Sequence, residues 1–183
     1  MKLSRIIVAI LLCLSAVLGA RAQSPDSSEY LIKAGYIFNF AQLVQWPAGA
    51  LPHEDSPIVI GILGTDPFGG TIDQVLANKK VDGRSVIVKR LNRGASVKDC
   101  NILFISSSEA AHLSEVLQSV KGLPILTIGE IPGFANRGGI INLTLEENRV
   151  RFQVNIEAAK RANLNISSRL LALAKIVTQT VAD

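Results

Sequence analysis

The stretch Ile102–Ile128, ILFISSSEAAHLSEVLQSVKGLPILTI, decides the predicted fold, because it contains a strand, a helix and a second strand. The apolar runs Ile102–Ile105 and Ile125–Ile128 predict strands that are buried on both faces. Ser106 and Glu109 have the spacing of a capping box at the start of the intervening helix. The apolar stripe of that helix comprises Leu113, Val116, Leu117 and Val120. Such a unit predicts parallel strands joined by a right-handed crossover.

The residues before this unit repeat the alternation of strand and helix. They predict, in order, a strand at Ile58–Leu63, a turn at Gly64–Gly70, a helix at Thr71–Ala77 and a strand at Ser85–Leu91. Further upstream, apolar positions at helical spacing predict a helix that starts at Glu29 and includes Val44. This helix should end just before Pro47, because a proline disfavours helical geometry in the residue that precedes it.

Residues 141–154 change from helical to alternating periodicity and predict an antiparallel hairpin. If Glu146 pairs with Arg149, three apolar pairs come into register on one face. They are Leu145 with Val150, Leu143 with Phe152, and Ile141 with Val154. A slip of one residue would bury the polar side chains instead, so this register is well specified.

Two helices are predicted after the hairpin. Asn155 is suited to cap a helix at Ile156–Ala162, and Ser167 is suited to cap a final helix. The apolar face of the final helix comprises Leu170, Ala174, Val177 and Val181. The elements together predict one α/β domain with a mostly parallel sheet, an antiparallel C-terminal hairpin, and helices on both faces.

The first 22 residues predict a secretory signal peptide. Lys2 and Arg5 precede the apolar run Ile6–Ala20, and Ala20-Arg21-Ala22 is a cleavage pattern of small residues. An uncleaved anchor is the alternative, but a helix of these fifteen residues spans about 22 Å, less than a hydrocarbon core of about 30 Å. Lipidation at Cys13 is not expected, because Leu12 stands where a small residue is needed. The mature domain is therefore expected at residues 23–183, in the periplasm.

The composition argues against several classes of protein. With 48% hydrophobic residues the chain is not of the disordered type. Removing Lys2, Arg5 and Arg21 leaves 16 basic residues of 19 against 15 acidic ones, a net charge of +1. A nearly neutral mature chain lacks the excess of positive charge that is typical of proteins that bind nucleic acid. Cys100 is the one cysteine of the predicted mature chain, and we expect it to be buried; the alternative is that it is available to a second copy in a homodimer.

No catalytic or metal-binding pattern is recognisable in the sequence, so no metal or cofactor is predicted. The turn GTDPFGGT at residues 64–71 has the spacing of a phosphate-binding P-loop, but Gly70 stands where the lysine is required and Asp66 adds a negative charge. Its backbone amides stay candidates for ligand binding, since the turn follows a parallel strand. His53 and His112 are isolated from other potential metal ligands.

Two loops carry candidate residues for binding a partner or a ligand. Asp66 and Phe68 lie on the turn just described, and Phe134 and Arg137 lie on the glycine-rich loop IPGFANRGG at residues 131–139. Aromatic residues and arginine are favoured anchors at protein interfaces. The alternative for Phe134 is a place in the core, where phenylalanine is common.

Four segments together resemble the YfiR family of bacterial periplasmic regulators. They are Phe38-Asn-Phe40 with Trp46-Pro47, the turn Gly64–Gly69, the strand Cys100–Ile105, and the C-terminal block with Gly138–Leu143, Arg149–Ala159 and Ser168–Ala174. The resemblance implies a non-enzymatic repressor of a membrane-anchored diguanylate cyclase, acting on cyclic di-GMP and biofilm output. It also implies an outer-membrane, peptidoglycan-binding lipoprotein that sequesters the repressor.

One feature of the family is missing from this sequence. In some members the cysteine that matches Cys100 forms a disulfide with a cysteine in the first strand. Here that strand, Ile58–Leu63, reads IVIGIL, so redox control through this bond is not expected.

Three hypotheses for the function follow from the sequence. The first is a periplasmic inhibitory partner protein. The second is a periplasmic module that binds a small ligand with the loop ends Gly64–Gly70, Ser106–Ser108 and Gly129–Gly139. The third, a hydrolase, has the least support because no nucleophile pattern is recognisable.

Cleavage of the signal peptide is directly testable. Protein isolated from the periplasmic fraction should begin at Gln23, because Ala20-Arg21-Ala22 fits the signal peptidase and the apolar run is short. Intact-mass spectrometry checks this expectation. A mass that still includes Lys2 and Cys13 would contradict it.

Overall fold

The computed structural model describes residues 27–180 of the chain. These residues form an eight-stranded sheet and a separate two-stranded sheet, with helices packed around them. The predicted signal peptide and Val181 lie outside these residues. The strands are β1 (Val44–Gln45), β2 (Ile58–Leu63), β3 (Lys80–Val81), β4 (Arg84–Leu91), β5 (Ile102–Ile105), β6 (Leu126–Gly129), β7 (Ile141–Glu146), β8 (Arg149–Val154), β9 (Asn165–Ile166) and β10 (Lys175–Ile176). The helices are α1 (Ser27–Leu43), α2 (Thr71–Leu76), α3 (Leu113–Ser119), α4 (Ile156–Arg161) and α5 (Ser168–Leu171), with a 3₁₀ helix at Ser107–His112.

The strand order is β3-β4-β2-β5-β6-β7-β8-β10. The five central strands, from β4 to β7, are all parallel, whereas β3 and β8 run antiparallel to their neighbours β4 and β7. The predicted α/β domain with a mostly parallel sheet and an antiparallel hairpin is therefore confirmed. Among the described residues, no helix has the length and hydropathy needed to cross a bilayer.

The core lies on both faces of the sheet, as a central parallel strand requires. Along β5, Ile102 and Phe104 pack in a cluster with α1 and α2 on one face. Leu103 and Ile105 alternate with them and pack in a second cluster with α3 on the opposite face. Side chains alternate across a strand, so this pattern places helices on both faces, as predicted.

The hairpin register predicted from the sequence is confirmed. Glu146 pairs with Arg149, Leu143 with Phe152, and the remaining pairs follow without a bulge. The caps are confirmed as well: Asn155 Oδ1 accepts a hydrogen bond from the amide of Ala158 at 2.9 Å.

Two predicted helices end earlier than expected. α1 ends at Leu43, because Val44 pairs with Ile166 in a two-stranded sheet of β1 and β9. The final helix is capped by Ser167 as predicted but ends at Leu171, because Lys175–Ile176 join the main sheet parallel to β8. The predicted apolar face of the final helix therefore stops at Leu170, and the chain after Leu171 leads into a strand instead of a further helical turn.

The segment from Ser106 to Gly129 differs from its prediction in three ways. Leu126–Gly129 forms β6, one residue later than expected. A 3₁₀ helix precedes α3. Ser106 caps this 3₁₀ helix as predicted, since its side chain accepts from the amide of Ser108, but the reciprocal bond from Glu109 that completes a capping box is absent. The amide of Ser106 already donates to the Leu63 carbonyl, so the Glu109 carboxylate is free to bind Arg93 instead.

Cys100 is 4% exposed and forms no disulfide, which confirms its predicted burial. Its sulfur lies 2.7 Å from the position that a Cβ on Gly61 would occupy. Burial raises the pKa of the thiol, which keeps it protonated near neutral pH.

The glycines of the 131–139 loop make room for one aromatic ring. Phe134 is fully buried, and a Cβ on Gly129 would lie 2.7 Å from its Cδ2. A Cβ on Gly139 would overlap the other side of the same ring. The ring therefore lies between two backbone segments that tolerate no side chain.

Replacing Gly139 by alanine tests this packing. Gly139→Ala should lower the free energy of unfolding by about 1–3 kcal/mol, since the added methyl overpacks the Phe134 pocket. The matched control is Gly70→Ala, where nothing lies within 4 Å of the new Cβ and a change within about 0.5 kcal/mol is expected. Urea denaturation measures both, and equal stabilities would refute the packing argument.

Candidate functional site

The β7–β8 hairpin extends past the end of the parallel sheet and forms one wall of a cleft. β6 ends at Gly129, which pairs with Asn142, so residues 143–146 and their partners on β8 continue beyond it. The first turns of α1 and the loop after β6 form the other walls. The open cleft between these walls, here called the carboxyl-end cleft, measures about 560 Å³.

A buried group of charged side chains lies in this cleft. The Lys33 ammonium is 2.6 Å from Oε2 of Glu130 and also forms an ion pair with Glu29. The hydroxyl of Tyr30 donates to Oε1 of Glu130 at 3.1 Å. The side chains of Lys33 and Glu130 are only 5% and 10% exposed. The four residues, called the Lys33 cluster below, join α1 to the carboxyl end of β6.

The Lys33 cluster carries more negative than positive charge. Glu29 and Glu130 contribute two carboxylates against the single ammonium of Lys33, which lies 4.6 Å from the Tyr30 ring centroid. Burial, and then the negative charge of Glu130, raise the pKa of the Tyr30 phenol well above its usual value. Tyr30 is therefore a neutral hydrogen-bond donor at physiological pH.

Burying the Lys33 cluster costs free energy, because its charged groups are removed from water. Desolvating an ion pair can cost more than the attraction returns, and well-packed apolar residues often replace one without loss. Buried ionisable groups beside a cleft are therefore candidates for a functional site. The remaining walls supply hydroxyl and amide groups from Ser107, Asn136, Thr144 and Gln153.

Two of the predicted candidates lie on the turn after β2, where Phe68 is buried and Asp66 is partly buried. Phe68 is 3% exposed and packs edge-to-face against Phe104, with ring centroids 4.8 Å apart, and against Tyr30 at 5.3 Å. Asp66 accepts a hydrogen bond from the amide of Phe68 at 2.7 Å and binds Nε of Arg90 at 3.0 Å. Phe68 thus offers no surface to a partner but supports the Tyr30 ring.

The two candidates on the 131–139 loop differ in exposure. Of the two alternatives for Phe134, the structure shows the core position. Arg137 is exposed on the same loop, next to Asn136, which lines the carboxyl-end cleft. The four predicted residues thus do not form one site, and Arg137 is the one with an exposed side chain near the cleft.

In the P-loop-like turn, a side chain of the protein itself occupies the Thr65 amide that a ligand could have bound. The amide of Thr65 donates to Oγ of Ser108 at 3.0 Å, and a Cβ on Gly64 would overlap that same hydroxyl. Glu109, beside it, is held by Arg93 at 2.8 Å, which lowers the pKa of the carboxyl group. In doubly wound sheets, ligands usually bind at the point where the strand order reverses. In this sheet that point lies between β2 and β5, and the Ser108 side chain occupies it.

The Lys33 cluster was not recognised from the sequence. Lys33 and Glu130 are 97 residues apart, and no local pattern reports a contact at that separation. One signal was available: Glu29 and Lys33 are the only charged residues of the 17-residue helix α1, and they are spaced as an i,i+4 pair.

The family resemblance is confirmed by comparison with known proteins. The sequence model of a family described as YfiR/HmsC-like matches residues 30–175, which is 146 of the 183 residues. No curated protein matches the chain. Within the described residues, no three histidine, cysteine, aspartate or glutamate side chains are grouped to hold a metal ion.

Removing the buried ammonium tests the energetics of the Lys33 cluster. Lys33→Met should destabilise the fold by about 3–5 kcal/mol, because it leaves the carboxylate of Glu130, 10% exposed, and the partly buried carboxylate of Glu29 without their counter-charge. The control is Lys160→Met. Its ion pair with Glu157 is 66% and 60% exposed, and its loss should cost less than about 1 kcal/mol.

A second substitution shows whether the loss comes from charge. Adding Glu130→Gln to Lys33→Met should restore part of the stability, since one of the unpaired carboxylates is then neutral. Thermal unfolding measures the series. Equal losses in Lys33→Met and Lys160→Met would contradict the interpretation.

Proposed function

We propose that this chain, which belongs to the YfiR/HmsC-like family, is a periplasmic regulator that binds the sensor domain of an inner-membrane diguanylate cyclase and represses it. The observation that carries the proposal is the family match along residues 30–175. Repression lowers cyclic di-GMP and, with it, biofilm output. Export through the predicted signal peptide brings the protein to the compartment where such a sensor domain is exposed.

A binding role without turnover agrees with the chemistry of the described residues. The P-loop-like turn has glycine at position 70 in place of lysine, and the Thr65 amide is occupied by Ser108. Two further ion pairs, Arg90 with Asp73 and Arg93 with Glu109, tie β4 and the loop after it to neighbouring elements. Arg90 lowers the pKa of the Asp73 carboxyl, which fits a structural ion pair rather than an acid poised near neutral pH.

The rim of the carboxyl-end cleft is the surface that we assign to the cyclase. Leu145 is 51% exposed on the projecting hairpin, and Arg137 is exposed on the neighbouring loop. An exposed leucine beside an exposed arginine supplies the apolar and charged contacts that interface anchors combine. Leu31 on the first turns of α1, 53% exposed, extends the apolar surface near the same end.

Binding at this rim would act by shifting a conformational equilibrium of the cyclase. A repressor can move that equilibrium only by its difference in affinity for the inactive and active states. An outer-membrane, peptidoglycan-binding lipoprotein that competes for the repressor would relieve repression by mass action. Both partners are part of this proposal.

The rim can be tested in cells that contain the cyclase. Leu145→Ser combined with Arg137→Ala should weaken co-purification with the cyclase and raise cyclic di-GMP, because both side chains are exposed and removable without a cavity. The matched control is Ile87→Ser, a 38% exposed residue on β4 near the other edge of the sheet. Circular dichroism checks that all variants are folded.

Two results would contradict this proposal at different levels. Unchanged cyclic di-GMP in the double variant would remove the rim from the interface. Unchanged cyclic di-GMP after deletion of the whole gene, with the cyclase present, would refute the repressor function itself.

A further inference from the structure

We propose that the carboxyl-end cleft binds a small amine, a compound with a primary ammonium group and further hydrogen-bonding groups. This inference goes beyond regulation of a cyclase and does not depend on it. It rests on the volume, the charge and the hydrogen-bonding groups of the cleft.

The size and place of the cleft suit a small molecule. Its volume of about 560 Å³ lies within the range of about 300–1,000 Å³ that is usual for ligand pockets. It opens beyond the carboxyl ends of β5 and β6, the end at which parallel sheets bind their ligands. Two loop ends from the small-ligand hypothesis line it, through Ser107 and through Gly133 with Asn136, whereas the Gly64–Gly70 turn does not.

The charge of the cleft selects a cation. Glu29, Lys33 and Glu130 are its charged lining residues among those the structure describes, and their sum is one negative charge. Lys33 is held by both carboxylates and is 5% exposed, so it is a poor partner for an anionic ligand. Glu29 is 20% exposed and Glu130 is 10% exposed, so Glu29 is the more accessible of the two carboxylates for an incoming ammonium group.

The other walls match the rest of such a molecule. Thr144 and Gln153, on facing hairpin strands, present a hydroxyl and an amide for hydrogen bonds. Leu145, half exposed at the mouth, offers an apolar contact for the methylene groups of an amine. Asn136 has its amide nitrogen bound to the Thr178 carbonyl at 3.0 Å, which fixes the orientation of its side chain.

The hydrogen bonds and ion pairs of the Lys33 cluster preorganise the site for a ligand. The Tyr30 hydroxyl and the Lys33 ammonium hold the Glu130 carboxylate from two sides, at 3.1 and 2.6 Å. Phe68 supports the Tyr30 ring from below, with centroids 5.3 Å apart. The same Lys33 ammonium forms an ion pair with Glu29, so the proposed acceptor is also ordered before a ligand binds. An ordered acceptor loses little conformational entropy on binding, which favours affinity.

Isothermal titration of the full mature chain at low ionic strength tests the proposal. The probes are 1,4-diaminobutane and glucosamine, each compared with its uncharged counterpart, 1,4-butanediol and glucose. We expect each amine to bind at least about tenfold more tightly than its counterpart, since a charge-assisted contact in a partly buried site contributes that much. Binding should weaken with added salt.

One substitution separates ligand binding from folding. Glu29→Gln removes the excess charge but leaves the 2.6 Å contact between Lys33 and Glu130 in place, so the variant should stay folded. It should weaken amine binding by about tenfold or more. The matched control is Glu157→Gln on α4, whose 60% exposed carboxylate lies outside the cleft and should leave binding unchanged.

The outcomes decide the proposal in either direction. Selective amine binding that is lost in Glu29→Gln, with chemical-shift changes at Thr144 and Gln153, supports it. Equal affinity for amines and uncharged counterparts, tighter binding of inorganic phosphate, or amine binding that Glu29→Gln leaves intact would overturn it. The regulator proposal is read out separately, through co-purification with the cyclase and through cyclic di-GMP in cells, and neither depends on the affinity for an amine.

Discussion

Burial of β2 and β5 on both faces is the constraint on which the rest of the molecule depends. All six residues of β2 and all four of β5 are buried, so neither strand can place a functional polar group within the sheet. Polar and charged side chains instead collect where the parallel strands end, at Asp66, Ser108, Glu109 and Glu130. The position of the candidate site thus follows from the same burial that makes the strands recognisable as apolar runs.

The parts of the fold that the sequence predicted well are those with strong local periodicity. The hairpin register was predictable because a slip would invert its faces. The strands β2 and β5 were predictable because each is a short apolar run with turn-forming residues after it, Gly64 for β2 and Ser106 for β5. The ends of α1 and α5 were not predictable. In each case a two-residue strand pairs with a distant segment, Val44 with Ile166 and Ile176 with Val154, and such pairing outweighs helical propensity.

The candidate site was only partly predictable for a related reason. Loop position suggested Phe68 and Phe134 as anchors, with a place in the core as the alternative for Phe134. Both rings are buried, Phe134 between two glycines and Phe68 against Phe104. The glycines near Phe134 were visible in the sequence, although their steric purpose was not. The Lys33 cluster contains residues from α1 and Glu130, which follows β6. Only the tertiary structure brings these distant parts of the chain together.

The loop after β6 connects the two surfaces that we assign to binding. It contributes Glu130 and Asn136 to the cleft and Arg137 to the rim, and the buried Phe134 ring fixes it from within. A ligand in the cleft and a partner on the rim would therefore contact the same short segment. If one alters the affinity of the other, linkage requires the effect to be equal in both directions. Because Phe134 leaves this loop little freedom, any such coupling would act mainly through the charge of the cleft and its direct contacts rather than through a large movement of the loop.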